Sequence, residues 1–134
     1  MARALPASGV SVTLAGGRAA ALEELAKELR STGQAEGIAR RPDSAQDTDE
    51  MVRAAVDAHG GLDFFFTAAG ENKPEKIEQQ DPGDWQEIID ANVRGTWLTC
   101  RSAGRHMIEA GRGGRFVLVS STRGRLGLAA GYSA

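Results

Sequence analysis

The sequence predicts an α/β fold in which a parallel sheet carries helices on its faces. Three observations point there. Short apolar runs at residues 10–14, 62–66 and 116–119 alternate with amphipathic stretches along the 134-residue chain. The stretches between them are long enough to hold a helix, which parallel neighbours in one sheet require and a tight hairpin would not. Glycine and proline fall at the ends of the runs, at Gly33, Gly60-Gly61, Pro82 and the Gly111, Gly113, Gly114 group, where they punctuate rather than interrupt.

Residues 10–14 read as a short buried strand. Residues 18–31 read as a helix, because Leu22, Leu25, Ala26 and Leu29 recur at i, i+3, i+4 and i+7, and Gly33 stands where it should end. Residues 35–39 are a weaker strand. Residues 47–58 form a second helix with Met51, Val52, Ala55 and Val56 on one face, stopped by Gly60-Gly61. Residues 62–66 are a strongly apolar strand, followed by a polar loop through residues 76–80. Asp81-Pro82 then opens a third helix, with the aspartate as N-cap and the proline at the first helical position. Its apolar positions, Trp85, Ile88, Ile89, Val93, Trp97, Cys100, Met107 and Ile108, read as one long stripe ending at Gly111. Residues 116–119 form the last strand. No repeat and no linker divides the chain, so residues 1–134 read as one domain.

Composition narrows the function. The chain is 41% hydrophobic and 25% charged, with a net charge of −2, which is ordinary for a soluble globular protein. No broad positive field is available for nucleic acid or an anionic membrane. Arg112, Arg115, Arg123 and Arg125 are the densest basic group and read as a solvated loop rim. No apolar run is long enough to span a bilayer, and the first residues lack the apolar stretch of a secretory signal, so a cytoplasmic protein is expected. Cys100 is the single cysteine, which excludes an internal disulfide and reads as a buried structural thiol. His59 and His106 are isolated, with no metal-ligand spacing.

Open parallel sheets bind ligands at the carboxyl ends of their strands, so the chemistry is sought there. After the first strand stand Gly16, Gly17 and Arg18, with no acid to take a ribose diol; Arg18 is either a helix-start arginine in solvent or a partner for a 2′-phosphate. After the strand at 62–66 come Thr67-Ala68-Ala69-Gly70, small residues that admit a close backbone or a flat ligand. Asn92 falls on the apolar stripe of the third helix and must find partners. It is either a polar residue at a kink, satisfied by backbone, or a group turned into a site. After the last strand come Ser120 and Ser121, then Tyr132, the only tyrosine. A serine there can hold a substrate oxygen, and a tyrosine can exchange a proton with it once a cation lowers its pKa. Taken alone, such a pair is an ordinary loop.

Taken in order, Gly-Gly-Arg, Thr-Ala-Ala-Gly, Asn92-Val93-Arg94-Gly95, the Ser120-Ser121 segment and Tyr132-Ser133-Ala134 resemble the short-chain dehydrogenase/reductase family over essentially the whole chain. The resemblance implies a partial Rossmann-like, doubly wound parallel sheet and an NAD(P)-dependent oxidoreductase. Its reaction would be hydride transfer between a nicotinamide and a small carbonyl or alcohol substrate. Tyr132 would be the acid or base, Ser121 would hold the substrate oxygen, and Asn92 would organise the proton relay. Gly17, Arg18, Asp43, Ala69 and Gly70 would face the cofactor, with NADP favoured over NAD by Arg18. The family's oligomer interface would fall on the helix around residues 84–110, implying a homo-oligomer. A different doubly wound nucleotide binder, such as a methyltransferase-like fold, has no need of Asn92, Ser121 and Tyr132 together.

The chain departs from the family pattern in four places. Thr67-Ala68 stands where the family usually has two asparagines. Ser121 and Tyr132 are eleven residues apart, shorter than the family spacing, which leaves open a tyrosine beyond Ala134 as the family residue. The lysine that follows the family tyrosine also falls past Ala134. The family's Gly-rich loop and first strand would precede Met1, and further strands would follow Ala134. The expectation is therefore a fragment that is inactive as it stands, or alternatively a non-catalytic module that binds a partner. The family's first strand lies between the strands at 10–14 and 62–66. Its absence predicts a central gap, with unpaired backbone on both sides. That implies marginal stability, direct pairing of those two strands, or recruitment of another chain.

Overall fold

The computed structural model describes residues 3–124; Tyr132 lies outside the described residues. Along the chain run β1 (Val12–Gly16), α1 (Ala19–Arg30), β2 (Ala35–Ala39), α2 (Ala45–His59), β3 (Phe64–Thr67), α3 (Pro82–Ile89), α4 (Gly95–Glu109) and β4 (Arg115–Leu118). β1 starts two residues later than the apolar pattern suggests. A 3-10 turn at Pro6–Ser8 ends on Gly9 with φ 76°, and the Val10 N–H donates back to Leu5 O at 3.2 Å. Val10 therefore belongs to the turn, and strand pairing begins at Val12 against Ala35. Gly33 serves as a point of close approach, since a Cβ there would lie 2.9 Å from the Pro6 carbonyl oxygen.

The strand layer is split. β1 pairs with β2 and β3 with β4, both in parallel, and among the described residues these are two separate two-stranded sheets. Of the outcomes expected for the central gap, direct pairing of β1 with β3 is not the one adopted. The helices hold the halves together: α2 packs on both β1 and β2 and against α4, and α4 packs on β3. The core lies in this helix layer, at Ala26, Leu29, Val52, Ala55, Ile88, Leu98, Ala103 and Met107. Phe65 and Phe116 meet edge to face at 5.7 Å across the second sheet, yet all four residues of β4 are exposed.

The long third helix is not one regular stripe. A π turn at Asp90–Arg94 separates α3 from α4, inserting a residue into the helical repeat and rotating everything after it. Ile88 is buried before the turn; after it Leu98, Ala103 and Met107 face inward. Trp97 and Ile108, expected on the inner stripe, are 60% and 81% exposed, and Val93 in the turn is 58% exposed.

α2 begins two residues earlier than the sequence pattern suggests, because Ser44 caps it. The Ser44 Oγ accepts from Asp47 N at 3.1 Å and its hydroxyl donates to Asp47 Oδ2 at 2.5 Å. That hydrogen bond, and then one from Arg40, hold the Asp47 carboxyl below its ordinary range. A depressed folded-state pKa stabilises the fold above the unfolded pKa, about 4, and the contribution is lost as pH falls through the folded value. Amide protection over residues 45–48 is expected to fall on acidification below about pH 4. In Asp47→Asn the protection should be weaker at neutral pH and lack this acid step, as pH-dependent hydrogen exchange can establish.

Candidate nucleotide site

The loops at the carboxyl ends of β1, β2 and β3 carry most of the residues singled out from sequence. Gly17 follows β1 directly. The stem of Arg41 lies across it, so that a Cβ on Gly17 would come 3.1 Å from Arg41 Cδ and 3.2 Å from Cγ. Arg18 occupies the N-cap position of α1 without a capping side-chain bond. It is exposed and makes no ion pair among the described residues.

The turn after β2 is held from several sides. Arg40 pairs with Asp47 and with Glu50, each at 2.7 Å. Pro42 sits where a Cβ on Gly95 would meet its Cγ at 3.0 Å. The Asp43 carbonyl accepts from Arg94 Nη1 at 2.9 Å, and the Asp43 carboxylate pairs with Arg41 at 3.4 Å. The β2 turn is thereby locked to the π turn.

Asn92 lies inside that π turn and is half-buried. Its Nδ2 donates to Glu71 O and its Oδ1 accepts from Glu71 N, both at 2.8 Å. An amide matched to a peptide group in this way clamps the loop after β3 at two points. Gly70 makes room for the clamp: a Cβ there would lie 3.2 Å from Asn92 Oδ1. Ala69 is exposed just before it. Glu71 gave no signal in the sequence, because it contributes backbone, which any residue would supply.

Lys73 also went unnoticed in the sequence. Its ammonium donates to Asp84 Oδ1 at 2.6 Å and to Glu87 Oε2 on α3. The hydrogen bonds to these two carboxylates push its pKa above the usual lysine range, so it stays charged and ties the same loop to α3. Between the β2 turn, the β3 loop and the π turn lies a cavity of about 440 Å³, bordered by Arg41, Asp43, Glu71, Asp90 and Arg94 among others.

Ser121 lies past the carboxyl end of β4 and is exposed; its carbonyl accepts from Gly124 N at 3.1 Å in a 3-10 turn at Thr122–Gly124. Parallel pairing puts the carboxyl ends of β3 and β4 at the same side of the second sheet, so Ser121 and Gly70 lie on one side. Cys100 is part-buried, and burial raises its thiol pKa. No described helix is long and apolar enough to cross a membrane.

Parallel strand–helix units whose carboxyl-end loops gather round a cavity define an open α/β protein of the doubly wound, Rossmann-like kind. The family model for short chain dehydrogenases matches residues 1–134, and the chain belongs to that family. It is 48% identical over 133 residues to an uncharacterized oxidoreductase of Mycobacterium tuberculosis, covering 99% of this chain and 49% of the relative. A second M. tuberculosis relative, named an uncharacterized NAD-dependent oxidoreductase, is 35% identical over 107 residues, covering 76% of this chain and 38% of its own. The crystal structure of a short-chain type dehydrogenase/reductase from Mycobacterium marinum matches with a TM-score of 0.93 at 26% identity, over 98% of this chain and 54% of that one. The chain thus spans about half the length of the curated relatives it matches. Its two half-sheets also keep the relative placement they have in a longer solved fold.

Proposed function

We propose that this chain is the cofactor-facing part of an NAD(P)-dependent oxidoreductase, acting on a small carbonyl or alcohol substrate. The observation that carries the reading is the joining of the β2 turn and the β3 loop on one π turn, through Arg94 to Asp43 and Asn92 to Glu71. This fixes the rim of a cavity where a doubly wound sheet takes a nucleotide. The residues present fit the adenosine end of such a cofactor. Gly17 leaves room for the stem of Arg41, no carboxylate follows β1 to hold a ribose diol, and Arg18 has no ion-pair partner among the described residues. That set favours NADP over NAD. In this reading Gly17, Arg18, Asp43, Ala69 and Gly70 face the cofactor; of these Asp43 borders the cavity.

The nicotinamide supplies or accepts the hydride when bound. Ser121 holds the substrate oxygen, and Tyr132 exchanges the proton with it. Asn92, with its side chain engaged on Glu71, contributes position: it keeps the π turn and the β3 loop in the geometry the relay needs. A homo-oligomer built on residues 84–110 belongs to the same reading, supported by Trp85, Trp97 and Ile108 standing 44%, 60% and 81% exposed. Sedimentation showing only monomer at every concentration would remove that part. A cytoplasmic location goes with it.

Calorimetric titration of the chain with NADPH and NADH tests the cofactor assignment. Tighter binding of NADPH is the expected result. Equal binding of the two would remove the preference, and no binding of either at millimolar concentration would remove the claim that these residues suffice for the adenosine end.

A further inference from the structure

We infer that Arg41 is a second anchor, beside Arg18, for the 2′-phosphate of a nucleotide bound at the carboxyl end of β1. The inference rests on the NADP reading above and adds a specificity-determining residue to it. The turn after β2 offers Arg40, Arg41, Pro42 and Asp43, and the fold disposes of them differently. Arg40 is consumed by Asp47 and Glu50 on α2. Pro42 packs toward Gly95, and the Asp43 backbone is held by Arg94. Arg41 alone is shown reaching back to the end of β1, where its Cγ and Cδ lie over Gly17. Its stem is therefore placed by packing against a residue that cannot push it away.

The head of Arg41 is held more loosely than its stem. Its one ion-pair partner among the described residues is Asp43, at 3.4 Å, with side chains 54% and 67% exposed. An exposed pair of this kind is weak and screened by salt. A phosphate brings more charge and a set of oxygens matched to the guanidinium fork, and forms the stronger, charge-assisted contact. Arg18 next to Gly17 brings the second cation to the same strand end. Asp43 then becomes the competitor: it occupies Arg41 in the free chain and is displaced when a 2′-phosphate arrives. Without the phosphate there is nothing to displace it, so the Arg41–Asp43 pair discriminates between the two cofactor types as well as attracting one.

Adenosine 2′-monophosphate and adenosine 5′-monophosphate have the same base and the same number of phosphates, and differ in where the phosphate sits. Each is titrated into the isotope-labelled 134-residue chain, following the signals of Gly17, Arg18 and Arg41 by NMR. The 2′-nucleotide is expected to move all three. Arg41→Gln should weaken it by about tenfold, the order of one charge-assisted hydrogen bond, and leave the 5′-nucleotide unaffected. Asp43→Asn should strengthen it. An unchanged 2′-nucleotide affinity in Arg41→Gln, with Gly17 and Arg18 still responding, would overturn the inference while leaving the NADP reading standing on Arg18. A weaker 2′-nucleotide affinity in Asp43→Asn, or equal losses for both nucleotides in Arg41→Gln, would also overturn it. If neither nucleotide moves Gly17 or Arg18, the NADP reading and the inference fall together. Arg41 is half-exposed, so its replacement leaves the core untouched, and an unaltered spectrum elsewhere confirms that the variant is folded.

Discussion

Leu98→Ala is expected to cost this chain its cooperative unfolding transition. Leu98 is 5% exposed on α4, the helix that packs against both α2 and β3. Removing a buried leucine side chain costs about 2–5 kcal/mol, the spread reflecting how far the cavity collapses. Natural domains have only about 5–15 kcal/mol in hand. Among the described residues the large aliphatic side chains of the core are few, chiefly Leu29, Ile88, Leu98 and Met107, and β4 adds none to it. A loss at α4 also loosens the helix layer that, among the described residues, joins the two half-sheets. Urea unfolding followed by the fluorescence of Trp85 and Trp97 reads the effect. A broad transition with no native baseline is expected. An unmoved midpoint and slope would show that the two half-sheets are held together by something other than the α2–α4 contact.

Asn92→Ala should act locally and through function more than through global stability. It deletes the two 2.8 Å bonds to Glu71. Water reaches this region, so the net loss is about 1–2 kcal/mol, nearer one ordinary hydrogen bond than two. The consequence that matters is release of the β3 loop from the π turn. Hydrogen exchange at Glu71 is expected to accelerate at least as much as the global destabilisation requires, while exchange in α2 slows or quickens only with the global change. Asn92→Asp keeps an acceptor for the Glu71 N–H but turns a second acceptor on the Glu71 carbonyl, and should release the loop as well. Protection of Glu71 equal to the parent in both variants would mean that Lys73, through Asp84 and Glu87, holds the loop by itself.

These two positions show how far the sequence could be read. Leu22, Leu25, Ala26 and Leu29 announced α1 because an uninterrupted 3.6-residue repeat leaves its trace in composition. The strand at Ala35–Ala39 was legible to its ends for a similar reason, bounded by a helix stop and a basic turn. The face of α3 and α4 is not legible in the apolar spacing, because a π turn is a matter of backbone geometry and Asp90–Arg94 has no residue that demands one. The spacing points Trp97 and Ile108 inward, and the turn rotates them out to solvent. Among the site residues, Asn92 was legible as a polar side chain where an apolar one fits the repeat. Its partner was not, because Glu71 is recognised through its peptide group. Arg41 and Lys73 were illegible for a third reason: their roles depend on which loops meet across the sheet, and a pattern along the chain does not encode that meeting. Asp43 enters the sequence reading only through the family resemblance; in the fold its carboxylate is the partner of Arg41, while its carbonyl ties the turn to Arg94.

The split strand layer has a thermal consequence. The heat-capacity change on unfolding follows the apolar area that folding hides, about 12–15 cal/mol/K per residue in ordinary domains. Here β4 is exposed along its length, and Phe64, Trp97 and Ile108 already face solvent. Less apolar surface remains to be uncovered, so the increment per residue falls below that range and the curve of stability against temperature flattens. The heat-induced transition of the parent chain is therefore expected to be cooperative but broader than that of an ordinary domain of this length, a width that calorimetry reads.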